Sequence, residues 1–379
     1  MVISAPIDQI TPSYHSPYTE QATASLERQL TKTTTLTATY MHSYGIHQMA
    51  TRDANAFLPG TYQFGSTTLT GVRPNPALGI VNQFDPEAVF KQNQLIVNIN
   101  ARFTPNFNVM GFYNVTAADG DTGTASNSYN LKENYGRASF ASRQMLFLMG
   151  NYTGPKGISF NPFLIAQAGR PYNIVTGNDL TGDNYFNDRP SLVDSSDCAA
   201  GAPMQYVQTT FGCLNTTPAA GDALLPINMG NGPAAVAVNL RISRSWGLGP
   251  KLASAAQNGA GAPPPGGRGG FGPGGFGGPG GGGGGRGGPG GGYGGPGGPM
   301  GGSNNTGHKY SLNFSAQALN LFNDIDYGQP SGTVISTPSA STGINGPGSQ
   351  FGKSTSLASG MFSSGASARR IFFQLALSF

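Results

Sequence analysis

Charge is scarce in this sequence. Aspartate, glutamate, lysine and arginine make up 10% of its 379 residues, against roughly 25% in an ordinary soluble domain. The formal net charge of +4 is too mild to argue for a polyanionic partner. Long apolar runs are missing as well. The longest, such as Met145-Leu146-Phe147-Leu148-Met149, fall far short of the roughly 20 residues a spanning helix needs. The first residues, Met1 to Pro6, lack a basic segment followed by an apolar one, so no signal peptide is read there. Histidine is limited to His15, His42, His47 and His308, none in His-x-x-x-His or His-Glu-x-x-His spacing. No nucleophile–base pair stands out, and no enzyme is expected. Gly352-Lys353-Ser354 matches the end of a phosphate-binding loop, but its first glycine would fall at Pro347 and no helical pattern follows. Cysteine is limited to Cys198 and Cys213. This nearby pair is a candidate local disulfide, which would need an oxidising compartment. Two separate thiols are the alternative.

Helical periodicity is almost absent, whereas alternation with period two recurs along the chain. At the C-terminus Ile371, Phe373, Leu375, Leu377 and Phe379 share one face, and Arg370, Gln374, Ala376 and Ser378 the other. Leu95, Val97, Ile99, Ala101 and Phe103 alternate with Gln94, Asn98, Asn100 and Arg102, and Phe107 to Val115 return after a turn at Thr104-Pro105-Asn106. The same pattern marks Val236 to Ile242 and Leu312 to Ala318. Strands are expected near 18–30, 34–46, 91–104, 107–118, 137–153, 158–169, 233–247, 309–323 and 366–379. Their connections alternate in length. Short turns fall near 31–33, 104–106 and 154–157, and long loops fill 47–90, 119–136, 170–232 and 324–365.

Apolar faces, short turns at one end and long loops at the other imply an all-β fold, an antiparallel transmembrane β-barrel. Tyr152, Trp246, Phe103, Phe107 and Phe379 fall at the short-turn ends, where an interfacial girdle belongs. Polar residues such as Asn98, Asn100, Arg102, Asn239 and Arg241 would line the lumen. A soluble β-sandwich also alternates, but seldom needs long loops on one side only. The last strand ends on the short-turn side, and nine strands is an odd number. Bacterial single-chain barrels have an even one, so further strands are expected before the first.

Three stretches follow: barrel strands and loops over 1–254, a Gly/Pro-rich insertion over 255–303, and the last strands over 304–379. The insertion cannot bury a core and reads as flexible coil, placed in the periplasm. Arg268-Gly269-Gly270 and Arg286-Gly287-Gly288 resemble RNA-binding segments. With two arginines between barrel strands, no nucleic acid is expected as a partner. In the loop from Asp179 to Pro190, oxygen-bearing side chains at Asp179, Thr181, Asp183, Asn187 and Asp188 approach the spacing of a calcium loop. Asn184 replaces the turn glycine, and Pro190 stands where a bidentate glutamate belongs. Carboxylates and amides in a turn equally cap backbone groups without Ca²⁺, and no other cofactor is suggested.

Several segments in combination resemble one family. They are Ser16-Pro17-Tyr18-Thr19-Glu20-Gln21 leading to Leu26-Glu27-Arg28-Gln29-Leu30, Gly169-Arg170-Pro171-Tyr172-Asn173, Asn187-Asp188-Arg189-Pro190, Leu319-Asn320-Leu321-Phe322-Asn323, Gln350-Phe351-Gly352, and Arg369-Arg370-Ile371 before a terminal Phe379. Together they resemble the C-terminal barrel of TonB-dependent receptors, in particular the Oar-like branch. The resemblance implies a plugged outer-membrane barrel of about 22 strands that takes an unidentified extracellular ligand inward, energised through the TonB–ExbB–ExbD system. It also implies that Phe379 is the signal read by the barrel-assembly machinery. The family's N-terminal domain, plug and TonB box have no counterpart in these residues, which therefore read as the C-terminal part of such a receptor. A non-transporting surface adhesion or structural barrel is the alternative.

Overall fold

The computed structural model describes residues 6–65, 70–251 and 306–379. The Gly/Pro-rich stretch 255–303 lies outside the described residues. Among the described residues, nine long strands form one antiparallel sheet in strict chain order. They are β1 (Tyr18–Thr31), β2 (Thr34–Asp53), β3 (Val81–Thr104), β4 (Phe107–Gly120), β5 (Gln144–Thr153), β6 (Ile158–Gln167), β7 (Ala235–Lys251), β8 (His308–Leu319) and β9 (Arg370–Ser378). Each pairs with the next, and the sheet does not close: β1 and β9 are its edges. The all-β, outer-membrane-type meander expected from alternation is therefore present.

Register explains why alternation decides the fold. Leu36, Ile99, Gly111, Leu148, Leu164 and Val238 lie opposite one another across six strands. Ala38, Val97, Tyr113, Leu146, Ala166 and Val236 form the next row on the same face. A slip of one residue in any strand would turn its apolar set to the opposite face. Gly111 fits its row because a Cβ there would stand 2.3 Å from the Phe147 carbonyl oxygen and 2.6 Å from Leu148 Cδ2. At the short-turn end an aromatic chain crosses four strands. Phe103 stacks on Phe107 at 5.4 Å, Phe107 meets Tyr152 at 6.2 Å, and Tyr152 meets Phe160 at 6.2 Å. The Arg244 guanidinium sits 4.9 Å over the Trp246 ring.

Strand ends depart from the alternation reading, for local reasons. β2 and β3 run on to Asp53 and start at Val81, so the loop expected over 47–90 shrinks to 54–80. Register shifts between Gly45 and Gln48 and between Gln48 and Ala50 break the period. His47 sits there at φ 54°, and Pro86 lies in the facing strand. Strands of 20 and 24 residues exceed the roughly 9–11 that cross a bilayer, so this pair projects beyond the others. Ile7–Ile10 adds a short parallel strand on Val81–Phe84. The strand expected over 137–153 begins at Gln144, with Gly136–Arg137 a separate short strand. β8 stops at Leu319 rather than Asn323. Asn320 and Asn323 take left-handed φ of 51° and 61°, a region that asparagine tolerates better than most residues.

The lumen-facing surface also differs from expectation. Asn98, Asn100, Asn239 and Arg241 share a face with Met145, Phe147, Phe163, Ile165, Ala235 and Ala237, which form a buried apolar cluster. The inner face of β5–β7 is therefore apolar where these six residues cluster and polar towards the short-turn end, at Asn151, Asn161, Asn239 and Arg241. Its physical reason is a cover: Phe362, in the connection between β8 and β9, packs onto the cluster with Ala358 and Met361 beside it.

Placing arginine at Leu148, mid-row on the outer face, is expected to lower folding stability in a bilayer by about 2–4 kcal/mol. Urea titration of vesicle-folded protein measures this. An effect below about 0.5 kcal/mol would show that this face does not meet lipid.

Candidate functional site

The long connections at the end opposite the aromatic row fold into a braced cap. Residues 168–234 contain a three-stranded antiparallel sheet, Ser191–Val193, Gly212–Asn215 and Tyr206–Thr209. Cys198 and Cys213 are disulfide-bonded with Cα atoms 5.9 Å apart, which fastens the 3-10 turn Ser195–Cys198 to the central strand. A second apolar cluster of Tyr172, Ile174, Val207, Leu214, Leu225 and Val334 joins this connection to the one before β9. Buried asparagines bridge remote turns. Asn55 Nδ2 donates to the carbonyls of Asn75, Leu78 and Gly79. Asn345 Nδ2 does so to Ala202, Pro203 and Tyr206.

The loop from Asp179 to Pro190 sits at the junction of three connections. Asp179 accepts the N–H groups of Gly182 (2.6 Å) and Asp183 (3.1 Å) on Oδ1, and that of Asn184 (2.8 Å) on Oδ2. Asp183 is fully buried. It accepts the Tyr185 N–H at 3.1 Å and the Ser128 hydroxyl at 2.9 Å, and Ser128 in turn accepts the Asp53 N–H at 3.0 Å. Asp188 accepts the Leu180 N–H at 2.6 Å. Asn187 Nδ2 donates to the carbonyls of Thr124 and Ala125, both at 3.2 Å. Thr181 is half-buried and faces an adjoining cleft. The carboxylates of Asp179, Asp183 and Asp188 thus receive backbone and hydroxyl hydrogens, whereas Thr181 Oγ1 and Asn187 Oδ1 are buried without a hydrogen-bond partner among the described residues. Among the described residues, no group of three or more His, Cys, Asp or Glu is placed to hold a metal.

Residues outside that sequence pattern complete the knot. Arg189 is buried and donates to the carbonyls of Leu225 at 2.6 Å and Glu133 at 2.7 Å, with the Glu133 carboxylate 3.6 Å away. Arg73 pairs with the buried Asp53 at 3.3 Å, and Arg52 with Asp85 at 2.5 Å. Tyr185 Oη donates to Asn82 Oδ1 at 2.8 Å. Alternation carries no signal for these partners. Burial pushes the carboxyls of Asp183 and Asp188 up to about 6 and about 7, and the neighbouring acids push the same way. Burial also lowers Arg189 from its ordinary value, against the pull of Glu133 and Asp188.

Beside the knot a cleft of about 780 Å³ opens between the connections 54–80, 121–143 and 168–234. Phe57 and Tyr62 stack at 5.3 Å on one wall, and Tyr129 forms another with its hydroxyl donating to the Ala56 carbonyl at 2.8 Å. Asn127, Asn130, Glu133 and Asp222 supply polar groups around the rim.

A carboxyl whose folded value is raised binds protons that the unfolded chain has released. Cap stability is therefore greatest below about pH 4, falls as pH rises towards 7, and levels off above it. Asp188→Asn keeps an acceptor for the Leu180 N–H and removes one titration. Denaturant midpoints of the detergent-held protein at pH 5 and pH 8 should differ less in the variant than in the unaltered chain. Equal differences would show that Asp188 does not titrate in this window.

Comparison with known proteins places the chain. A family model described as outer membrane beta barrel domain matches residues 2–252. No curated protein matches. Among solved structures, the outer membrane transporter YddB from Escherichia coli is 9% identical, with a TM-score of 0.42, over 99% of this chain and 34% of that one. The ferripyoverdine receptor of the outer membrane of Pseudomonas aeruginosa is 8% identical, with a TM-score of 0.34, over 94% and 26%. The siderophore receptor PirA from Pseudomonas aeruginosa is 8% identical, with a TM-score of 0.27, over 95% and 38%. The chain thus spans about a third of the length of the first of these. The family model covers about two thirds of the sequence, and the chain belongs to the outer-membrane β-barrel family.

Proposed function

We propose that this chain forms barrel strands and the ligand-facing cap of a TonB-dependent, Oar-like receptor that draws an extracellular ligand across the outer membrane. The observation that carries the reading is the asymmetry of the meander. Turns of two to four residues make three of the four connections at one end, at 32–33, 105–106 and 154–157, the fourth being 252–307 between β7 and β8. At the other end the connections build a disulfide-bonded, hydrogen-bonded cap with a cleft. A barrel that only filled the membrane would need no such cap. The unpaired edges of β1 and β9 support assembly with further strands, because lipid offers no partner to a bare strand edge. TonB, its inner-membrane partners and the barrel-assembly machinery, reading Phe379, are the partners this reading carries.

The test has two stages. Protein extracted from outer membranes should migrate faster on a gel when left unboiled than when boiled, as a folded barrel does. Cells should then take up a ligand bound by the cap only while the proton gradient is intact, with uptake falling at least about tenfold (about 1.4 kcal/mol) when a protonophore is added. A barrel whose ligand is bound but never enters would be a surface adhesion protein instead.

A further inference from the structure

We propose that the cleft between connections 54–80, 121–143 and 168–234 binds neutral oligosaccharides, an inference that rests on the receptor reading above. Its volume, about 780 Å³, lies in the range of small-molecule sites and suits roughly two to four sugar units. Its apolar surface is aromatic and fixed. Phe57 is buried, stacked on Tyr62 with planes 18° apart and with the Arg73 guanidinium 4.1 Å over its ring, so it serves to hold the half-buried Tyr62 ring in place. Tyr129 stays 42% exposed while its hydroxyl anchors it to the Ala56 carbonyl. Aromatic faces carry negative charge density and suit the C–H faces of a pyranose ring.

The polar groups match hydroxyls better than ions. Asn130 and Asn127 donate to Glu133 Oε2 at 3.2 and 3.5 Å, which orients their amides. Asp222 stands across the rim, its Oδ2 accepting the Ala219 N–H at 2.9 Å. Amides and carboxylates together offer donors and a surplus of acceptors, and a sugar hydroxyl serves as either partner. An anionic ligand finds little here. Among the described residues lining the cleft the cation is Arg189, whose side chain is 4% exposed and already donates to the Leu225 and Glu133 carbonyls. A peptide held by its backbone needs a strand edge, whereas the lining from Phe57 to Tyr62 and from Asn127 to Glu133 consists of turns and a 3-10 helix.

Calorimetric titration of the detergent-purified full chain with malto-, cello- and xylo-oligosaccharides tests this, with a ferric catecholate as the anionic probe. At least one neutral saccharide should bind. Tyr129→Ala should weaken it by about tenfold, and Tyr129→Phe, which keeps the ring, by less than about threefold. Asn130→Ala, at an exposed position, should also weaken it if Tyr129→Ala does not fold. Heat-modifiable protein that binds no saccharide at millimolar concentration, or binds only the catecholate, overturns the saccharide assignment and leaves the barrel intact. Binding that survives Tyr129→Ala unchanged places the site elsewhere and overturns it too. Protein with no heat-dependent shift removes the receptor reading itself, and this inference with it.

Discussion

From Tyr18 to Ser378, each long strand is held by main-chain hydrogen bonds to the next one in sequence. That ladder fixes everything placed on it. In lipid there is no water to take over a broken pairing, so register cannot drift cheaply. Because side chains alternate with period two, register also decides which residues meet lipid and which meet the interior. The rows through Leu148 and Leu146, the aromatic chain from Phe103 to Phe160 and the loops at the far end all follow from one pairing scheme.

The cap obeys a different rule. Its segments have few long strands to satisfy their main-chain groups, so side chains do it. Asp179 closes a turn, Asn55 and Asn345 hold three carbonyls each, and Ser128 links Asp53 to Asp183. Buried polar groups are tolerable when each has a partner and costly when one is lost. The result is a set of long connections held in fixed positions. A cleft between loops can discriminate among ligands only if its walls stay in place.

How much of this the sequence discloses depends on whether a contact is local. Leu95 to Phe103 and Ile371 to Leu377 alternate cleanly, and nine strands are readable from such runs. Where β2 bulges between Gly45 and Ala50 the alternation fails, and the period-two pattern ends several residues before the strand does at Asp53. Asn187-Asp188-Arg189-Pro190 stands out as a motif, but its partners are 8 to 63 residues away. Asn345 and Tyr206 are 139 apart. Spacing alone could not separate a metal loop from a capped turn, since both place oxygens at alternate positions. The apolar cluster on β5–β7 leaves no local signal, because Phe362 covers it from 125 to 217 residues further on.

Magnitudes also rank which part of the cap can yield. Lifting Phe362 from the cluster on β5–β7 exposes one aromatic side chain, about 1.5–3 kcal/mol. Pulling the knot apart would strand Asp53 from Arg73, or Arg189 from Glu133 and the Leu225 carbonyl, with the charges still buried. Breaking one such buried pair costs about 3–5 kcal/mol, and Ser128 links Asp53 on to Asp183. On these magnitudes the Phe362 contact yields more easily than the Asp179–Pro190 knot. The cleft wall 168–234 and the inner cover lie on different connections, yet the Val175–Thr333 bridge, the cluster around Val334 and the Asn345 hydrogen bonds tie them together, so a movement of the cover bears on that wall.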